Sequence, residues 1–85
     1  MAGDQITVSQ DKVKEAFVEA LDLAPDANVE GLEIGQDAAW DSLGHMALVA
    51  ELEDQFGVTL ETDDVVGMTS YAKAIEILQR LGVAV

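Results

Sequence analysis

Trp40-Asp41-Ser42-Leu43-Gly44-His45-Met46 opens a helix that the residue pattern carries from Ser42 to Phe56. Asp41 and Ser42 have short side-chain oxygens, the type that accepts hydrogen bonds from the free N–H groups of a first helical turn. Behind them Leu43, Met46, Ala47, Val49, Ala50, Leu52 and Phe56 recur at three- and four-residue steps, an apolar stripe. Gly57 follows Phe56, where helices commonly end in a left-handed residue. Ser42 therefore stands at the positive end of a helix. Free N–H groups and the helix dipole suit an anion there, such as a phosphate esterified to Ser42. On spacing alone the other reading is that Ser42 simply caps the helix.

Working outward, residues 1–6 read as a loose leader, and a first helix over about 8–21. Its start is signalled twice. Thr7 with Gln10 makes a capping box, and Ser9 between Val8 and Val13 fits a hydrophobic staple. Val13, Phe17, Ala20 and Leu21 form its buried face. From Asp22 to Ala39 no periodicity holds, and Pro25, Asn28, Gly31 and Gly35 punctuate a long loop. Leu23, Val29, Leu32 and Ile34 are its candidate pins, and Trp40 a packing residue where the loop meets the helix. After Gly57, Leu60 turns inward. Thr62 then caps a short helix over about 63–66, with Asp63 and Asp64 in its first turn. A helix of that length is marginal alone and is the element best placed to move. A last helix runs over about 70–81 with Tyr71, Ala74, Ile75, Leu78 and Leu81 facing inward. The fold class is all-α: a small four-helix bundle with a short third helix and a long loop between helices 1 and 2.

The 85 residues make one domain, 1–85, and a chain this size buries only about 60% of its unfolded surface. With 49% hydrophobic residues it still has one core. Seventeen acidic residues against four basic give a net charge of −13, which disfavours nucleic acid and anionic membranes as partners. Seven acidic residues and no Lys or Arg lie between Asp41 and Asp64, which favours basic patches on other proteins. No cysteine and one histidine leave no zinc site. The start lacks the pattern of a signal peptide, and no apolar run approaches the ~20 residues of a membrane span. A cytoplasmic monomer is the default.

Asp41-Ser42-Leu43, the helix behind it, the chain length and the acidity together resemble the acyl carrier proteins, without a gap from about Leu32 to Leu81. That resemblance implies the carrier fold, with 4′-phosphopantetheine from coenzyme A attached to Ser42 and acyl or aminoacyl cargo held as a thioester. It implies no catalytic residue and no resident metal. Asp41 would help present Ser42 or meet the transferase's metal, its other role being to cap. A phosphopantetheinyl transferase and acyl-loading and acyl-transferring enzymes with basic docking patches would be the partners. Leu43, Met46, Glu51, Glu53, Asp54, Glu61, Asp63 and Asp64 would meet them. By matched position Leu52, Leu60, Met68, Ala74 and Leu78 would line an acyl cavity; spacing alone makes them ordinary core.

Some positions depart from the pattern. Fatty-acid carriers commonly have acidic residues where this chain has Gly44 and Ala47, and a small residue where it has Trp40. Trp-Asp-Ser-Leu-Gly-His looks more like discrete carriers of specialised pathways. As a helical position in the first turn, Gly44 reads as able to take Asp without harm to folding. His45 has no paired nucleophile for a catalytic role. The rival readings are an acidic helical interaction module without a prosthetic group, and a calcium-binding protein. The latter lacks an EF-hand loop and would bind only diffusely.

Overall fold

Four α-helices follow one another in the computed structural model: α1 Ala2–Leu21, α2 Ser42–Phe56, α3 Thr62–Gly67 and α4 Tyr71–Arg80. A 3₁₀ turn, Val29–Gly31, interrupts the long connection between α1 and α2. The structure describes residues 2–36 and 38–85, with the backbone alone over 2–9. Among these residues the sole β-type pairing is one isolated bridge, Glu33 to Ser70. The architecture is the expected all-α one.

The start of α1 differs from expectation. The helix begins at Ala2, so residues 2–6 are helical rather than a loose leader. No proline interrupts residues 2–9, and a cap is a preference worth about 0.5–2 kcal/mol, not a barrier to a helix that propagates past it. Met1 and the side-chain contacts expected of Thr7, Val8 and Ser9 lie outside the described residues. At the other end Asp22 takes a left-handed φ of 54°, and the N–H of Leu23 closes onto the carbonyl of Val18 at 2.9 Å.

One core holds the bundle. α1 contributes Val13, Ala16, Phe17 and Leu21, and α2 contributes Leu48, Val49 and Leu52. Tyr71, Ala74, Ile77 and Leu78 come from α4, while Val29, Trp40, Leu60 and Met68 come from the connections. Ala16 joins the buried face of α1, and Ala20 packs against it partly buried. Ile77 is buried on α4, whereas Leu81 is exposed. Trp40 is the packing residue expected: fully buried, its ring lies edge-on to Phe17 at 5.2 Å, and Phe17 in turn meets Tyr71 at 5.4 Å. The loop is pinned by Val29 inside the core and by Leu23, Leu32 and Ile34 against it. It is also tied to the α3–α4 link, where the N–H of Ile34 donates to the carbonyl of Thr69 at 2.9 Å.

The face of α2 is turned relative to the sequence reading. Leu43, Met46, Ala47 and Ala50 are exposed, and His45, Leu48, Val49 and Leu52 are buried. Both sets recur at helical spacing, because the stretch from Leu43 to Ala50 is apolar nearly all round. Sequence periodicity could not choose between them.

Candidate functional site

Asp41 begins α2. Its backbone is extended, its carbonyl accepts the N–H of His45 at 2.8 Å, and its carboxylate accepts the N–H of Gly44 at 2.8 Å. That is the N-cap geometry, and it answers the question the sequence left open: the cap is Asp41. Ser42 is the first helical residue, is exposed, and its hydroxyl takes no part in the cap.

Gly44 closes the site from beneath. A Cβ there would stand 2.6 Å from the carbonyl oxygen of Ala39 and 2.8 Å from Cδ2 of Leu21. The head of α2 thus presses its backbone onto the loop and α1, and only glycine permits that approach. This corrects the expectation that Gly44 could become Asp without harm.

Beside the serine lie exposed apolar side chains, Leu43 at 84% and Met46 at 59% exposure. The chain adds a third that the sequence reading missed. His45 is 8% exposed, and both its ring nitrogens are engaged. Nδ1 accepts the indole N–H of Trp40 at 2.9 Å, and Nε2 lies 2.6 Å from the carbonyl oxygen of Val65. Nε2 therefore carries the proton and donates, which defines the neutral tautomer. The bond draws α3 to the head of α2, and Val66, 72% exposed, comes with it. A histidine with both nitrogens spent on structure has none free for catalysis.

The acidic residues separate into two kinds. Asp54, Glu61 and Asp63 are exposed, and Glu51 is half-buried and accepts from the amide of Gln55 at 3.2 Å. Glu53 accepts the N–H of Leu60 at 2.8 Å, which fixes the turn after α2. Asp64 is not an open carboxylate. It is 8% exposed, pairs with Arg80, and accepts the N–H of Glu61 at 3.3 Å. A buried charge needs its own partner, and Arg80 supplies it inside the chain. The short helix begins at Thr62, with Glu61 rather than Thr62 as its N-cap residue.

Leu52, Leu60, Met68, Ala74 and Leu78 are all buried in the single core cluster. A groove of about 490 Å³ between α1 and the first loop, lined by Lys14, Val18, Pro25 and Val29 among others, contains none of the site residues. No group of three or more metal-ligating side chains comes together among the described residues. No helix among them is long and apolar enough to cross a membrane.

The site is thus a four-helix bundle with an exposed serine, outside the cap, on the first turn of its second helix. Residues 11–78 match the family described as "Phosphopantetheine attachment site". The chain is 31% identical over 71 residues to an acyl carrier protein of Sulfurovum sp. (strain NBC37-1), covering 84% of this chain and 95% of that one. It is 33% identical over 70 residues to acyl carrier protein 2, chloroplastic, of Spinacia oleracea, covering 82% of this chain and 54% of that one. No solved structure matches significantly. The chain belongs to the acyl carrier protein family. It is a carrier with covalently attached 4′-phosphopantetheine, and not an enzyme. The family is served by phosphopantetheinyl transferases and acyl-handling enzymes.

The residues at the head of α2 fit that group. Ser42 is exposed, the cap is made by its neighbour, and exposed Leu43 and Met46 follow it on the same helix. When attached, the group supplies a terminal thiol that holds cargo as a thioester, which accords with a chain without cysteine.

Proposed function

We propose that Ser42 is the residue that bears 4′-phosphopantetheine, and that the carried acyl or aminoacyl group is presented to enzymes of a specialised pathway. The observation that carries this is the division of labour at the start of α2. Asp41 makes the capping bond to Gly44, which leaves the neighbouring Ser42 hydroxyl exposed at the positive end of the helix. Asp41 holds that turn still, and its outward-lying carboxylate can also meet the transferase's metal.

Partner enzymes engage α2 and α3 through an apolar centre of Leu43, Met46 and Val66. Around it Glu51, Asp54, Glu61 and Asp63 face basic residues of the partner. Each exposed ion pair is worth about 0–1 kcal/mol, so they act as a set. Glu53 joins only with the share of its carboxylate not held by Leu60, and Asp64 is replaced in the set by Val66. Leu52, Leu60, Met68, Ala74 and Leu78 form the part of the core that parts to shelter cargo. The protein works as a cytoplasmic monomer.

The test is intact-protein mass spectrometry after incubation with coenzyme A and a broad-specificity transferase. Wild type gains the mass of one phosphopantetheinyl group, and Ser42→Ala gains none. Modification of the Ser42→Ala protein, at Ser70 or Ser9, would overturn the assignment.

A further inference from the structure

The short helix α3 is held in an unusual way. Its single buried residue is Asp64, a carboxylate, and Val65 and Val66 are half-buried and exposed. Few of its residues come close to another helix. Six residues make too short a helix to persist by propensity. Val65 packs against the core, and two polar ties add to that single apolar contact: Arg80 to Asp64, and His45 to the carbonyl of Val65.

The second tie has the better geometry for control. The Val65 carbonyl is one of the last four of α3, which have no partner within the helix. The His45 ring meets it at 2.6 Å from a nearly buried position. On its other side the ring accepts from Trp40, and the two rings stack at 6.0 Å with 27° between their planes. Trp40 is fully buried and directly precedes the Asp41 cap. A rigid chain thus runs from the loop, through the head of α2, to the backbone of α3. The chain segments flanking α3 end in the buried anchors Leu60 and Met68, so α3 spans the stretch between two core residues.

We propose that His45 is a positioning residue that clamps α3 to the head of α2, so that breaking its bond to Val65 releases α3 and opens the core beside Leu60 and Met68. Trp40 sets the tautomer: by donating to Nδ1 it leaves the proton on Nε2, where it is needed. That the opening admits cargo rests on the function proposed above; the clamp itself does not.

Two substitutions separate the arms of the ring. An Asn side chain puts an oxygen near the place of Nδ1 and keeps the Trp40 bond, but does not reach Val65. A Gln side chain reaches the place of Nε2 with an N–H and keeps the Val65 bond, but abandons Trp40. Both lose the same ring packing. Amide hydrogen exchange on the protein without its prosthetic group should show residues 65–67 exchanging about tenfold faster in His45→Asn than in His45→Gln, with the centres of α1 and α4 within about twofold of each other in the two variants. The Trp40 indole N–H should behave oppositely, staying protected in His45→Asn and exchanging faster in His45→Gln. Equal acceleration of α3 in both variants, or the same tenfold difference between them at the centres of α1 and α4, would reduce His45 to a packing residue and overturn the proposal. If both variants unfold, wild type decides. Long-range ¹⁵N correlations of the His45 ring must show the Nε2–H tautomer, and the Nδ1–H tautomer overturns the clamp. Because none of these measurements needs a modified Ser42, failure of the clamp and failure of the attachment assignment are told apart.

Discussion

Gly44→Ala should destabilise the protein, although the same change in most helices stabilises. The favourable side is familiar: replacing Gly by Ala in a helix interior gains up to about 1 kcal/mol. The opposing side comes from contacts. The new Cβ would lie 2.6 Å from the carbonyl oxygen of Ala39, 2.8 Å from Cδ2 of Leu21 and 3.3 Å from Oδ1 of Asp41. Leu21 can give by rotating, but the Ala39 oxygen is backbone and moves only with the loop. Overpacking of this kind costs about 1–3 kcal/mol. Any shift of the Asp41 carboxylate also endangers a cap worth about 0.5–2 kcal/mol. The net loss is then about 1–2 kcal/mol, and for a domain of this size the Tm falls by about 4–16 °C.

Gly67→Ala is the control, since a Cβ there meets nothing within 4 Å and φ is not positive. It should gain about 0.4–1 kcal/mol by restricting the unfolded chain. Thermal and urea unfolding followed by circular dichroism measures both. A Leu21→Ala background should reduce the Gly44→Ala penalty without removing it, because the Ala39 oxygen remains. If Gly44→Ala melts at or above wild type, the close approach of α2 to the loop is wrong.

Ser42→Ala should stay within about 0.5 kcal/mol of wild-type stability, because the cap belongs to Asp41; a larger loss in urea titration would return the capping role to Ser42. The phenol of Tyr71, the chain's single tyrosine, is pushed up by burial, and Lys14 is raised chiefly by its hydrogen bond to Glu30. Both raised groups contribute stability below their ordinary values of about 10 that is lost as pH climbs through the folded values. Ultraviolet titration of Tyr71 should have a midpoint above 10, and unfolding should follow on the alkaline side; a midpoint at or below 10 refutes this. Charge repulsion at −13 should make Tm rise from low to moderate salt, with Mg²⁺ stronger per ion, and a salt-independent Tm counts against it. Ala47→Glu, at an exposed position, should speed acyl transfer by fatty-acid-type enzymes to the loaded protein, mainly at low salt. Full wild-type activity with those enzymes would refute the specialised pathway.

Four helices, their order and the ends of α2 were legible because apolar periodicity, Asp41 and Gly57 are local signals, and local signals are what a sequence carries. The start of α1 was not, since a capping preference yields to a helix free to propagate. The rotation of α2 was hidden for a different reason. With Leu43, Met46, Ala47 and Ala50 on one side and Leu48, Val49 and Leu52 on the other, the stripe has two solutions. The decision is made by His45, a polar residue buried through two bonds to partners five and twenty positions away. Nothing in its neighbourhood advertises the second. Asp64 is similar, because its partner Arg80 lies sixteen residues on, across the fold.

Three departures from the fatty-acid pattern, at Trp40, Gly44 and Ala47, looked in sequence like three separate hints about partners. In the fold two of them are one packing set. Trp40 is buried against Phe17 and bonded to His45, and Gly44 must lack a side chain because the loop ending at Trp40 brings the Ala39 carbonyl against it. A bulky residue before Asp41 and a glycine three residues after it are thus coupled answers to the question of how the loop meets α2. An acidic side chain at position 44 would meet the same Ala39 carbonyl whatever enzyme the carrier serves. Gly44 therefore says nothing about partners, and neither does Trp40. Ala47 is different: it is exposed on α2 and under no such constraint, so the missing carboxylate there is a choice made at the surface. The assignment to a specialised pathway rests on that single position, and the Ala47→Glu experiment bears on it more directly than any change at Gly44 could.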